Sequence, residues 1–82
     1  MSTELLLFKV NELQKDIVGI RENLLNKEKE LYIQGKIKHE DMQGRWMKIS
    51  HDFNKIYYIL DEYRDYLIDE KIKENEEQHN FE

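Results

Sequence analysis

From Met42 to Leu67 the apolar residues recur four and three positions apart: Met42, Trp46, Ile49, Phe53, Ile56, Leu60, Tyr63 and Leu67. That alternation is the heptad signature of a helix whose apolar seam packs against another helix. An earlier run repeats it with Leu6, Val10, Leu13, Ile17, Ile20, Leu24, Lys27 and Leu31, in which Lys27 is the one polar member. Between the two runs lies Gln34-Gly35-Lys36-Ile37-Lys38, where Gly35 suits a left-handed C-cap and Ile37 can cover the helix end. Ser2 or Thr3 offers an N-cap with Glu4 in the first turn, and Glu40 and Asp41 face the positive start of the second helix. These signals predict an all-α chain: a helical hairpin over 1–74, with helix one at about 3–34, a turn at 35–38 and helix two at about 39–74. Residues 75–82 offer no seam and are expected to form a frayed acidic tail.

Folding the chain back at Gly35 pairs the two runs without a slip: Leu31 with Met42, Lys27 with Trp46, Leu24 with Ile49, Ile20 with Phe53, Ile17 with Ile56, Leu13 with Leu60, Val10 with Tyr63 and Leu6 with Leu67. Each layer joins an a position to a d position, as a long antiparallel two-helix coiled coil requires. The stem of Lys27 is expected to cover the Trp46 indole. On one side of the seam Glu30 falls opposite Arg45, Asn23 opposite Asp52 and Asp16 opposite Ile59, an edge that water can wet. On the other side Leu7, Val18, Leu25, Tyr32, Met47, Tyr57 and Ile68 form a second apolar stripe that a hairpin alone cannot cover. Such a stripe marks an interface, so these residues are the expected oligomer contact through which two hairpins close into an antiparallel four-helix bundle.

Length supports the same conclusion, because an 82-residue chain buries too little apolar surface to be comfortable alone, and it has no cysteine with which to staple itself. Its 39% apolar and 38% charged residues, without proline or alanine, suit long solvated helices. Leu5-Leu6-Leu7-Phe8 is too short for a signal sequence and has no basic stretch before it, and no segment approaches the roughly 20 apolar residues that span a bilayer. A soluble, cytoplasmic protein with no membrane partner is expected.

Several functional classes lose support at this level. No Gly-rich phosphate loop, nucleophile elbow or pair of inward carboxylates occurs, so no catalytic residue, cofactor or enzymatic activity is expected. His39 and His51 are not spaced to share a metal, and Glu76-x-x-His79 lies in the tail, so no metal site is expected either. Base stacking by the five tyrosines and Trp46 would need a basic groove, whereas the net charge is −5; direct nucleic-acid binding is not expected. The acidity is concentrated at the C-terminal end, where residues 61–82 hold nine acids against three bases. Tyr58, Asp61, Glu62, Asp65, Tyr66 and Asp69 therefore form a candidate surface for another protein, one with a basic face.

Polar residues interrupt the second stripe: Gln14, and the group of Arg21, Ser50 and Asn54, with Arg21 opposite Ser50. They can serve as a polar key that fixes bundle register, or, with the Tyr57 hydroxyl, as a site for a small anion. Ile20-Arg21-x-x-Leu24 and Ser50-x-x-Phe53-Asn54-x-Ile56 resemble the pattern of the sporulation aspartyl-phosphate phosphatases, helical hairpins that carry Ser-x-x-Leu-Asp-x-Leu on the second helix. That resemblance implies dephosphorylation of a response regulator, with Asn54 standing where the family has aspartate and with longer arms. Arg45-Trp46 followed by an apolar seam resembles the hairpins with which phages sequester cyclic-nucleotide signals, which implies a phage or mobile-element source. The residues themselves point to a small acidic helical hairpin that associates with itself and acts by protein–protein interaction, as an adaptor, inhibitor or regulatory subunit. A phosphatase or an anion- or nucleotide-binding module is the competing reading.

Overall fold

The chain folds as two long helices packed antiparallel, α1 at Thr3–Ile33 and α2 at His39–Asn80. The computed structural model describes residues 1–80, with side chains through residue 77. Ser2 caps α1 in an extended conformation, its Oγ accepting the Leu5 N–H at 3.1 Å. At the other end Gly35 adopts φ 73°, the Lys36 N–H donates to the Leu31 carbonyl and the Gly35 N–H to the Tyr32 carbonyl, both at 2.9 Å. This is a Schellman closure, which needs a left-handed residue at the Gly35 position. Ile37 is half-buried behind it, and the rings of Tyr32 and His39 meet edge to face across the turn at 5.4 Å.

The result is a rod with Cα extents of 68 × 15 × 14 Å. Thr3 Oγ1 donates to Glu74 and Lys71 Nζ lies 3.7 Å from Glu4, so the start of α1 is tied to the later part of α2. Beyond Glu74, where the sequence reading ends the second helix, α2 continues to Asn80. The segment holds good helix formers with neither glycine nor proline, and the i,i+3 pair Glu70–Lys73 at 3.5 Å supports it from behind. Residues 81 and 82 of the expected tail lie outside the described residues. Among the described residues no helix is long and apolar enough to cross a membrane.

Half of the expected seam differs in detail. Val10, Ile17 and Leu31 of α1 and Phe53, Leu60 and Leu67 of α2 are drawn in between the helices, as the heptads predict. Leu6, Leu13 and Ile20 are exposed instead, Leu13 to 47% and Ile20 to 50%, while the residues that follow them, Leu7, Gln14 and Arg21, occupy the contact. In α2 Ile56 and Tyr63 are likewise exposed, Tyr63 to 60%, and Tyr57 and Arg64 take their places. Both helices are thus turned in the same sense relative to the expected layers. In this rotation Gln14, Arg21 and Arg64 find hydrogen-bond partners across the hairpin. Trp46 is held by a bond from its Nε1 to the Leu25 carbonyl oxygen at 2.9 Å, where Lys27 was expected to cover it. Among the described residues only Ile17 (8% exposed) and Gln14 (4%) are buried.

Candidate interaction surface

A hairpin of two helices has a contact seam, two flanks and two backs, and each sequence-level candidate falls on one of these. At the middle of the seam Gln14 Nε2 donates to Asp61 Oδ1 at 2.7 Å and to the Tyr57 carbonyl oxygen at 3.3 Å. Arg64 completes the group, with Nη1 at 3.5 Å from Gln14 Oε1 and Nη2 at 3.1 Å from Asp61 Oδ1. Asp61 therefore differs from the other acids proposed for a partner surface, because its carboxylate answers a buried amide within the chain. No buried side-chain nitrogen or oxygen among the described residues lacks a partner.

One helical turn pair toward the hairpin tip, Arg21 Nη1 donates to Asn54 Oδ1 at 2.6 Å and Nη2 lies 3.3 Å from Glu22 Oε1. Val18, Arg21, Asn54, Tyr57 and Tyr58 line a groove there, and Ser50 sits half-buried one turn before Asn54. The structure thus brings Arg21 and Asn54 together, and both terminal guanidinium nitrogens of Arg21 are engaged by acceptors of the chain itself. Arg64, the neighbouring cation, is engaged in the same way by Asp61.

The second stripe is divided by the rotation of the helices. Leu7, Val18, Leu25 and Tyr57 are half-buried by the hairpin's own contact, Tyr32 packs on His39, and Met47 and Ile68 remain exposed, Met47 to 73%. The apolar surface left uncovered lies on the opposite flank. Leu6, Leu13 and Ile20 each precede a seam residue of α1, and Ile56 and Tyr63 each precede one of α2. In antiparallel helices the positions that precede the seam lie on the same side of the pair, so these residues form one ridge, joined by the half-exposed Leu24. Apolar positions in the sequence exceed what a two-helix seam needs, but the sequence reading places this ridge in the hairpin's interior and the excess on the other flank, because spacing alone does not say which apolar position faces inward.

On the back of α2, Tyr58, Glu62, Asp65 and Asp69 are exposed at four- and three-residue spacing on one face, with exposed Tyr66 beside them. Nearer the tip Lys48 Nζ reaches Asp52 Oδ2 at 3.1 Å. That hydrogen bond, opposed by partial desolvation and aided by His51, holds the Asp52 carboxyl below the ordinary aspartate range. Among the described residues no group of three or more His, Cys, Asp or Glu side chains is placed to hold a metal ion. In comparisons with known proteins, no family model, curated protein or solved structure matches the chain.

Proposed function

We propose that the chain is a non-catalytic interaction module of the cytoplasm, in which two hairpins close into a four-helix bundle and the acidic back of α2 docks a basic surface of another protein. The observation that carries this reading is the uncovered ridge: with only Ile17 and Gln14 buried among the described residues, the hairpin leaves a row of leucine, isoleucine and tyrosine in water. A row of that length on so small a chain is the mark of a protein that completes its core by association. The face of Tyr58, Glu62, Asp65 and Asp69 supports the second half of the reading, since it offers negative charge beside an aromatic ring and none of the four takes part in the seam. Asp61 belongs to the fold and not to that face.

The polar cluster of Arg21, Ser50 and Asn54 acts in this reading as a register key. Sedimentation of the purified chain tests self-association, and affinity capture from the native host tests docking. Capture is expected to weaken with salt, because exposed charges are screened over about 8–10 Å at physiological ionic strength. Neutralising Glu62, Asp65 and Asp69 together as Gln, Asn and Asn is expected to reduce it without loss of helicity. Undiminished capture by that variant would remove the acidic face from the proposal, and phosphate release from an aspartyl-phosphorylated response regulator, lost in Ser50→Ala, would replace it with the enzymatic reading.

A further inference from the structure

We infer that the ridge of Leu6, Leu13, Ile20, Leu24, Ile56 and Tyr63 is covered by the same ridge of a second copy lying antiparallel, with the two turns at opposite ends of the dimer. This rests on the reading of the chain as self-associating and adds to it the face used and the direction of the partner. The face follows from burial. The opposite flank is already occupied along much of its length by the bonds of Arg21 to Asn54, of Gln14 to Asp61 and of Lys71 to Glu4, whereas the ridge carries apolar side chains. A rod of 68 × 15 × 14 Å presents a flank on the order of the ~800 Å² per partner that a stable interface buries.

The direction follows from charge. Between Asp61 and Glu77 α2 holds eight acids and three bases, and the antiparallel hairpin sets this segment beside the α1 N-terminus with Glu4. The turn end carries Lys36 and Lys38, with Arg45 and Lys48 on the first turns of α2 beside Glu40 and Asp41, so it has no such excess of acid. Packed helices lie about 8–10 Å apart, about one Debye length at physiological salt, so neighbouring charges on paired hairpins are screened only in part. A parallel pair would gather both acidic ends into one. In the antiparallel pair, with the dyad passing between Ile56 and Tyr63, Ile56 packs on the partner's Tyr63 and the acidic end lies over the partner's turn end. Arg45 then falls at the level of the partner's Glu74. Arg45 is half-exposed even while it touches Glu28 at 3.3 Å, so its charge is available to a second acid.

Because the chain has no cysteine, a single Lys36→Cys exchange gives a unique attachment point for a nitroxide at the turn. At 1.5 Å per residue each turn lies roughly 30 Å from the dyad, so electron–electron distance measurements on the labelled dimer are expected to give about 60 Å. A distance of about 20 Å would place the turns together and overturn the antiparallel arrangement, leaving self-association intact. Leu13→Glu is expected to convert the dimer to a helical monomer, while Met47→Glu, on the other flank, leaves it a dimer; the reverse pattern would overturn the assignment of the face. A wild-type chain that sediments as a monomer would overturn the reading of self-association together with this inference.

Discussion

The most enclosed side chain of the hairpin is an amide, and it is answered by a carboxylate: Gln14 Nε2 lies 2.7 Å from Asp61 Oδ1 across the seam, with Arg64 closing the group from the same helix as Asp61. A polar group at the centre of a coiled contact tolerates few alternatives, because every shift of register would leave the amide without its acceptor.

Asp61→Ala is expected to lower stability by about 1–3 kcal/mol, the cost of leaving a buried amide unsatisfied. Gln14→Leu should be neutral or stabilising, since it removes the buried polar group and leaves Asp61 paired with Arg64. Urea unfolding of the two variants checks the contrast, and equal destabilisation by both would deny Gln14 its place in the network.

Glycine substitutions should separate the turn from the arms. No atom lies within 4 Å of a Cβ built at Gly19, Gly35 or Gly44, so only backbone conformation distinguishes them. Gly35→Ala is expected to cost about 1–2 kcal/mol because its φ of 73° disfavours a Cβ. Gly19→Ala and Gly44→Ala, both in helices, should each gain roughly 0.5–1 kcal/mol. Thermal melts of the three single variants would show opposite signs.

Asn54→Ala removes the acceptor of Arg21 Nη1 and is expected to destabilise the chain by about 1 kcal/mol, at the low end for a bond to a charged group because the site is open to water. Asn54→Asp keeps an acceptor and should retain stability. A large loss in the aspartate variant, measured by chemical denaturation, would contradict the role of Asn54 as a simple hydrogen-bond partner.

Asp52 should titrate below an ordinary aspartate, chiefly through the Lys48 hydrogen bond. A carboxyl whose folded value is depressed contributes stability above its unfolded value, and that contribution is lost as pH falls through the folded value. Lys48→Gln is therefore expected to move the Asp52 carboxyl carbon titration upward toward the ordinary range and to flatten the acid side of the stability profile slightly. A titration curve unchanged by Lys48→Gln would show that the contact does not persist in solution.

The sequence by itself determined the hairpin, because its signals are local. The four-three spacing of two long runs, Ser2 before the first and Gly35 between them leave little choice of element or direction, and backbone conformation at Gly35 depends on the absence of a Cβ and not on distant contacts. What only the tertiary structure decided is which side of each helix faces inward. Each run carries apolar residues on more than one side, so spacing alone cannot choose between Leu13 and its neighbour Gln14 or between Tyr63 and Arg64. The observed rotation is the one that bonds pairs distant in sequence, Gln14 with Asp61, Arg21 with Asn54 and Trp46 with the Leu25 carbonyl, which no local signal reveals. With them Leu6, Leu13 and Ile20 lie outward, so which apolar side chains stay exposed is read from the contacts across the hairpin and not from the hydrophobic pattern along it.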